Sequence, residues 1–150
     1  MKRLYIVVEG QTEEQFVNRV LAPYLTASQQ LHSVTPIPIH RGHGARGGMV
    51  NYECLRRDVL RLLGESGAPI VSTLIDFFRC PETPGKELWG KATNHLQEVE
   101  LREAEIGRDI GSELFIPYIQ LHEFEALLFS SDASFGDLFS EKEAKELSKV

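Results

Sequence analysis

The sequence predicts an α/β domain, a mainly parallel four-stranded sheet flanked by helices on both faces. Three observations carry this expectation. Short β-branched apolar runs alternate with stretches of helical periodicity in the order β-α-β-α-β-α-β-α, the pattern of parallel strands joined by helical crossovers. Three of the apolar runs end in acids, Glu9, Asp76 and the pair Glu123 and Glu125. No internal repeat interrupts the alternation, and no apolar run approaches the ~20 residues that a membrane span needs.

The first strand covers residues 3–8, ending at Val7-Val8 before Glu9 and Gly10. Gly10 suits a tight turn that a Cβ would crowd. Thr12 and Gln15 form a capping-box pattern with Thr12 as N-cap, opening a helix over 12–27. Phe16, Val20, Leu21, Tyr24 and Leu25 give that helix an apolar stripe. Val34 to Ile39 is extended, and its two prolines suit an edge strand. His40 to Gly48 has four glycines and two arginines and reads as a loop. An amphipathic helix spans 49–63, and a break at 64–69 leads into the strand Pro69 to Ile75, which ends at Asp76. Residues 77–85 form a loop with two prolines, followed by a long Glu-rich helix over 86–106 that reads as a solvated face anchored by Trp89. Leu114 to Leu121 is the last strand, blemished by Pro117, and His122 to Phe129 reads as a short helix.

One domain is the expectation for 150 residues. The charged helix pattern at 140–150 stops with neither a C-cap glycine nor a following element, which suggests a chain that continues further. Met1-Lys2-Arg3 leads into a run too short and too β-branched for a signal peptide, so the reading is cytoplasmic. Cys54 and Cys80 lack a metal-ligand spacing and read as reduced, partly buried thiols. The net charge of −6 argues against a protein that coats nucleic acid. Its distribution is uneven: residues 1–64 carry eight Lys/Arg against five Asp/Glu, and residues 65–150 carry eight against seventeen. Arg41, Arg46, Arg56, Arg57 and Arg61 make a locally basic stretch, read either as a nucleic-acid face or as ordinary solvated charge.

In a parallel sheet all carboxyl ends share one edge, so acids distant in sequence meet there. Clustered carboxylates repel unless a cation neutralises them or one holds a proton. Oxygen donors in this number suit Mg²⁺ or Mn²⁺, which keep water and bind substrate phosphates. The chemistry would be metal-assisted attack on phosphorus. The competing reading is that each acid merely caps the next helix. Glu9, Asp76 and Glu123 are the expected metal ligands. Glu123 is preferred to Glu125 because it lies nearer the strand end, and on a helix the two point ~200° apart. His122 is either a ligand or general base, or a satisfied histidine at a helix start. On a helix it shares a face with Glu125; on a continued strand, with Gln120 and Phe124. Phe124, Leu127 and Leu128 read as core. Arg41 and Arg46 in the glycine-rich loop could contact phosphate. Arg79 could do so beside the metal, or could pair with Glu82.

The run Val7-Val8-Glu9-Gly10-Gln11-Thr12-Glu13 resembles the first motif of Toprim (topoisomerase–primase) domains, in the form found in defence-associated nucleases of the overcoming-lysogenization-defect type. That resemblance implies a Toprim-like, Rossmann-like fold, with Glu9 as general acid/base or metal ligand and Asp76 as a Mg²⁺ ligand. The sequence departs from the pattern at one point. The usual Asp-x-Asp is Asp76-Phe77-Phe78 here, so two-metal catalysis would need Glu123 or Glu125 as substitute. A fuller resemblance spans nearly the whole chain. The Val8–Glu13 run, the Gly42–Gly48 loop, Ile75-Asp76-Phe77-Phe78 and Pro117 to Phe129 (PYIQLHEFEALLF) resemble the bacterial family called domain of unknown function 4276. It implies a Toprim-like protein, longer than this chain, often encoded beside an ATPase in a defence locus. The expected function is Mg²⁺-dependent cleavage of nucleic-acid phosphodiesters, with Glu9, Glu123 and His122 catalytic and an ATPase as partner. The alternatives are a non-catalytic module that binds a partner ATPase or nucleotide, and phosphoryl transfer on a small nucleotide.

Overall fold

A computed structural model of the protein describes residues 2–29, 31–40 and 51–122. The elements are β1 (Arg3–Val8), α1 (Gln11–Phe16), a π-helical turn (Val17–Leu21), α2 (Ala22–Gln29), β2 (Ser33–Pro38), α3 (Tyr52–Leu63), β3 (Ile70–Asp76), a 3₁₀ turn (Phe77–Arg79), α4 (Lys86–Trp89), α5 (His95–Ile110), β4 (Phe115–Ile116) and β5 (Ile119–Gln120). All strand pairs are parallel, in the order β2-β1-β3-β4, with β5 also beside β3. The expected mainly parallel α/β sheet with four strand positions is therefore present. β2, which carries Pro36 and Pro38, is an edge strand. A missing N–H costs least there.

Alternate strand residues feed two cores. Val7, Val71 and Ile75 face Leu55, Val59 and Leu62 of α3, and Val99, Ile106 and Ile110 of α5. Ile6, Val8 and Leu74 point the other way, toward Val17, Phe16 and Leu25. Each fully buried Val or Leu contributes ~1.5–3 kcal/mol. The side of each helix follows from the strand order. β1 steps outward to β2, whereas β2 to β3 and β3 to β4 step the opposite way. Right-handed crossovers then send α1 and α2 to one face, α3 and α5 to the other.

Several local expectations are corrected. The first helix is capped by Gly10, not Thr12, and Glu13 Oε2 accepts the Gly10 N–H at 3.1 Å. Gly10 is extended (φ −152°) rather than in a conformation reserved for glycine. The helix widens into a π turn just ahead of Pro23, which has no N–H and whose ring displaces the carbonyl four residues back. The extra residue rotates the stripe. Val20 and Tyr24 are 51% and 67% exposed, while Val17 takes the core position. α3 starts at Tyr52 rather than at 49, because Asn51 accepts from the Glu53 N–H at 2.9 Å. The long helix expected over 86–106 is two helices. α4 stops at Gly90, and Asn94 caps α5 by accepting from Gln97 N–H at 2.9 Å. α5 is no merely solvated face, since Val99, Ile106 and Ile110 are buried. Trp89 is buried and donates to the Pro84 carbonyl at 3.1 Å.

The last strand is interrupted but keeps its register. Val71 pairs with Phe115 and Ile75 with Ile119. Pro117 breaks the ladder in between. There the Thr73 hydroxyl donates to the Tyr118 carbonyl and accepts from the Tyr118 N–H, both at 2.8 Å. Glu103 of α5 accepts from the Ile119 N–H at 2.7 Å. One buried hydroxyl and one carboxylate thus stand in for the missing ladder bonds and deliver Gln120 beside Asp76. His122 lies in a bend and is exposed, and the rest of the expected 122–129 helix lies outside the described residues. Cys54 is half-buried, Cys80 buried, and neither is in a disulfide, as expected.

Candidate functional site

β1 sends its chain to one face of the sheet and β3 sends its chain to the other. The crevice between their carboxyl ends is therefore the crossover switch point, where open α/β sheets bind ligands. Val8 pairs with Leu74, which brings Glu9 and Asp76 to the same edge on neighbouring strands. Across that edge the Asp76 charge acts on the Glu9 carboxyl.

Glu9 is half-buried and Asp76 buried. Burial raises the Glu9 carboxyl above its ordinary value, and the negative charge of Asp76 raises it further. Arg79 opposes this, Glu13 adds to it, and the Asp76 N–H lowers it. Three acidic side chains, Glu9, Asp76 and Glu13, and the Arg79 cation thus act on one another at this edge. Glu13 lies buried in the first turn of α1, away from any strand end. Its signal is a glycine followed three residues later by a glutamate, half of a capping box.

Arg79 is exposed, and its charge reaches Glu9. Its alternative partner Glu82 is taken by Lys86. The loop behind it is held by Arg102, which sits 3.9 Å from the centre of the Trp89 ring. Arg102 also donates to Glu98 at 2.6 and 2.9 Å and to the Pro81 carbonyl at 3.3 Å. Cys80 is buried against this cation. Burial pushes its thiol up, Arg102 pulls it down, and the nearby Glu9 charge pushes it up again.

The basic stretch is largely neutralised within the described residues. Arg56 pairs with Asp109 at 2.8 Å, and Arg61 lies 3.7 Å from Glu65. Arg57 lies 3.4 Å from Asp58 and donates to the His40 carbonyl at 2.7 Å. Asp58, buried in α3, accepts the His40 N–H at 2.7 Å. Both backbone groups of His40 are thus held by α3, which fixes the chain where it leaves β2 at the sheet's carboxyl edge. Arg41, Arg46, Glu123 and Glu125 lie outside the described residues, as do Phe124, Leu127 and Leu128.

Among the described residues, no group of three His, Cys, Asp or Glu side chains is arranged to hold a metal ion. The two carboxylates that do meet fit a hard cation that binds through one or two protein oxygens and keeps its remaining positions for water and phosphate. An apolar groove of ≈ 520 Å³, lined by Leu4, Ile6, Phe16 and Leu25 among others, lies on the sheet face beside α1 and α2. It has no charged lining and reaches Gln120, the strand partner of Asp76. No described helix is long and apolar enough to cross a membrane.

No curated protein and no solved structure matches this chain. The family model described as Domain of unknown function (DUF4276) matches residues 8–150, a span that includes Glu9, Asp76 and the HEFEALLF segment. The chain belongs to that family.

Proposed function

We propose that the protein is a Mg²⁺- or Mn²⁺-dependent phosphodiesterase of the Toprim type that cleaves nucleic acid. The observation that supports this reading best is the meeting of Glu9 and Asp76 at the crossover switch point. Glu9 and Asp76 would hold the cation, with Glu123 as the third oxygen donor. A divalent cation held there supplies Lewis-acid polarisation of the scissile phosphate. Water attacks phosphorus and the P–O ester bond breaks. Glu9, through the carboxylate oxygen left free by the cation, would take the proton released by the water. The leaving oxygen receives its proton from solvent or from His122. Arg79 neutralises charge on the phosphate. Arg41 and Arg46 are the proposed contacts to flanking phosphates, and an ATPase encoded nearby is the proposed partner in a bacterial defence role.

The test is cleavage of single-stranded and duplex DNA and RNA with Mn²⁺ by the wild type, Asp76→Ala and Glu9→Gln. Metal-dependent cleavage lost in both variants supports the reading. A second reading, a non-catalytic binding module, is favoured because, among the described residues, no group of three His, Cys, Asp or Glu side chains is arranged to hold a metal ion. It gains support if Mn²⁺ binds and no substrate is cut.

A further inference from the structure

The residue two places after Asp76 is Phe78, where the Toprim pattern has its second aspartate. Phe78 is 58% exposed, whereas its neighbour Phe77 is buried in the core. An exposed phenylalanine at a catalytic edge gains nothing from solvent. Phe78 is nonetheless held in place. Its ring meets Phe77 nearly edge-on, with centroids 5.3 Å apart at 71°, and meets His95 with centroids 5.8 Å apart at 89°. Phe77 and His95 are themselves 5.2 Å apart. Three rings thus brace one another at the carboxyl edge, and the outermost is the exposed one.

We infer that Phe78 is a stacking platform for an unpaired nucleobase whose sugar-phosphate lies at the Glu9–Asp76 edge. This rests on the phosphodiesterase reading and names the form of its substrate. Two residues of chain reach ~7 Å at most, so Phe78 lies next to Asp76, and the Arg79 cation follows it directly. The order acid, ring, cation along Asp76-Phe77-Phe78-Arg79 supplies groups for metal, base and phosphate in one short turn. Every base has a π-face, so a ring at this position recognises bases without reading their sequence. In a duplex that face is covered by the neighbouring pairs, so the platform selects single-stranded or flipped nucleotides. Both ring contacts restrict the Phe78 torsions before ligand arrives, which lowers the ordering cost of binding.

The experiment measures binding of the full chain to a short labelled single strand, to the same strand with abasic sites, and to its duplex, at low salt with Ca²⁺ in place of Mg²⁺. The wild type should bind the base-bearing strand about tenfold or more tightly than either the abasic strand or the duplex. Phe78→Ala should lose that preference while keeping its affinity for the abasic strand, and Phe78→Trp should keep the preference. The exposed position makes misfolding of Phe78→Ala detectable as a change in melting temperature that the proposal does not expect. Equal binding of base-bearing and abasic strands by the wild type overturns the proposal. So does an unchanged preference in Phe78→Ala, or no binding to any strand; either result would leave the ring cluster as a protein-contact surface. Mn²⁺ titration of the same samples separates this from the metal site. Phe78→Ala should bind Mn²⁺ as the wild type does. Loss of Mn²⁺ binding in Glu9→Gln with the base preference intact keeps the two readings independent.

Discussion

Replacing Thr73 by valine removes one hydroxyl and no volume, yet it should be among the more damaging single changes in the sheet. Thr73 is buried, and its Oγ1 both donates to and accepts from Tyr118, each at 2.8 Å. Valine keeps the shape and leaves the Tyr118 N–H and carbonyl without that partner. A buried backbone group left unsatisfied costs about 1–3 kcal/mol; these two bonds are part-buried, so at ~1–2 kcal/mol each the expected loss is ~2–4 kcal/mol. For a chain of this size that lowers the melting temperature by roughly 6–12 °C. Thr73→Ser keeps both bonds and should lose only about 1 kcal/mol for the missing methyl. Urea unfolding of the three proteins, followed by circular dichroism, measures the difference. The change also reaches function. Tyr118 leads directly into Ile119 and Gln120, which pair with Ile75 and Asp76, so a slipped β5 disturbs the edge where the acids meet. A Thr73→Val variant within about 0.5 kcal/mol of wild type would refute the role given to this hydroxyl.

Three further outcomes follow from the same structure. Because the folded Glu9 carboxyl titrates above its unfolded value, its contribution to stability is present below the unfolded pKa and is lost as pH rises through the folded one. Glu9→Gln should therefore gain stability over the wild type progressively between acid and neutral pH, and a pH-independent difference in denaturant midpoint would contradict this. Arg102→Ala removes the ring contact with Trp89 and the bonds to Glu98 and Pro81. It should cost ~2–4 kcal/mol and shift Trp89 fluorescence to the red, and Arg102→Lys should restore only part. Gly85 has φ +77°, and a Cβ there would clash with the Glu105 side chain. Gly85→Ala should lower stability by more than about 1 kcal/mol in thermal unfolding.

The parts of the fold that the sequence made legible are those set by local pattern. Val7-Val8 and Val71 to Ile75 are β-branched or apolar except at Ser72, and they form the two central strands. The prolines of β2 announced an edge. Because both central strands run the same way, Glu9 and Asp76 had to reach one edge once their strands were identified. What stayed hidden depends on residues distant in sequence. Arg56 looks like a free surface cation until Asp109, 53 residues later, is folded against it. Asp58 reads as one more helix charge, although it is buried and grips the His40 N–H. Thr73 reads as an ordinary strand residue, and only the break at Pro117 gives its hydroxyl a task. The helix errors have a different origin. Gly10, Pro23 and Gly90 each act through backbone geometry, and an apolar stripe drawn at a constant period passes over them.

The central claim is that Glu9 and Asp76 together hold a divalent cation. Calorimetric titration of Mn²⁺ into the wild type, Glu9→Gln and Asp76→Ala tests it most directly. The account predicts saturable binding by the wild type, weakened about tenfold or more in each variant, with Asp76→Ala folded as judged by its unfolding transition. Mn²⁺ binding of equal strength in all three proteins would contradict it.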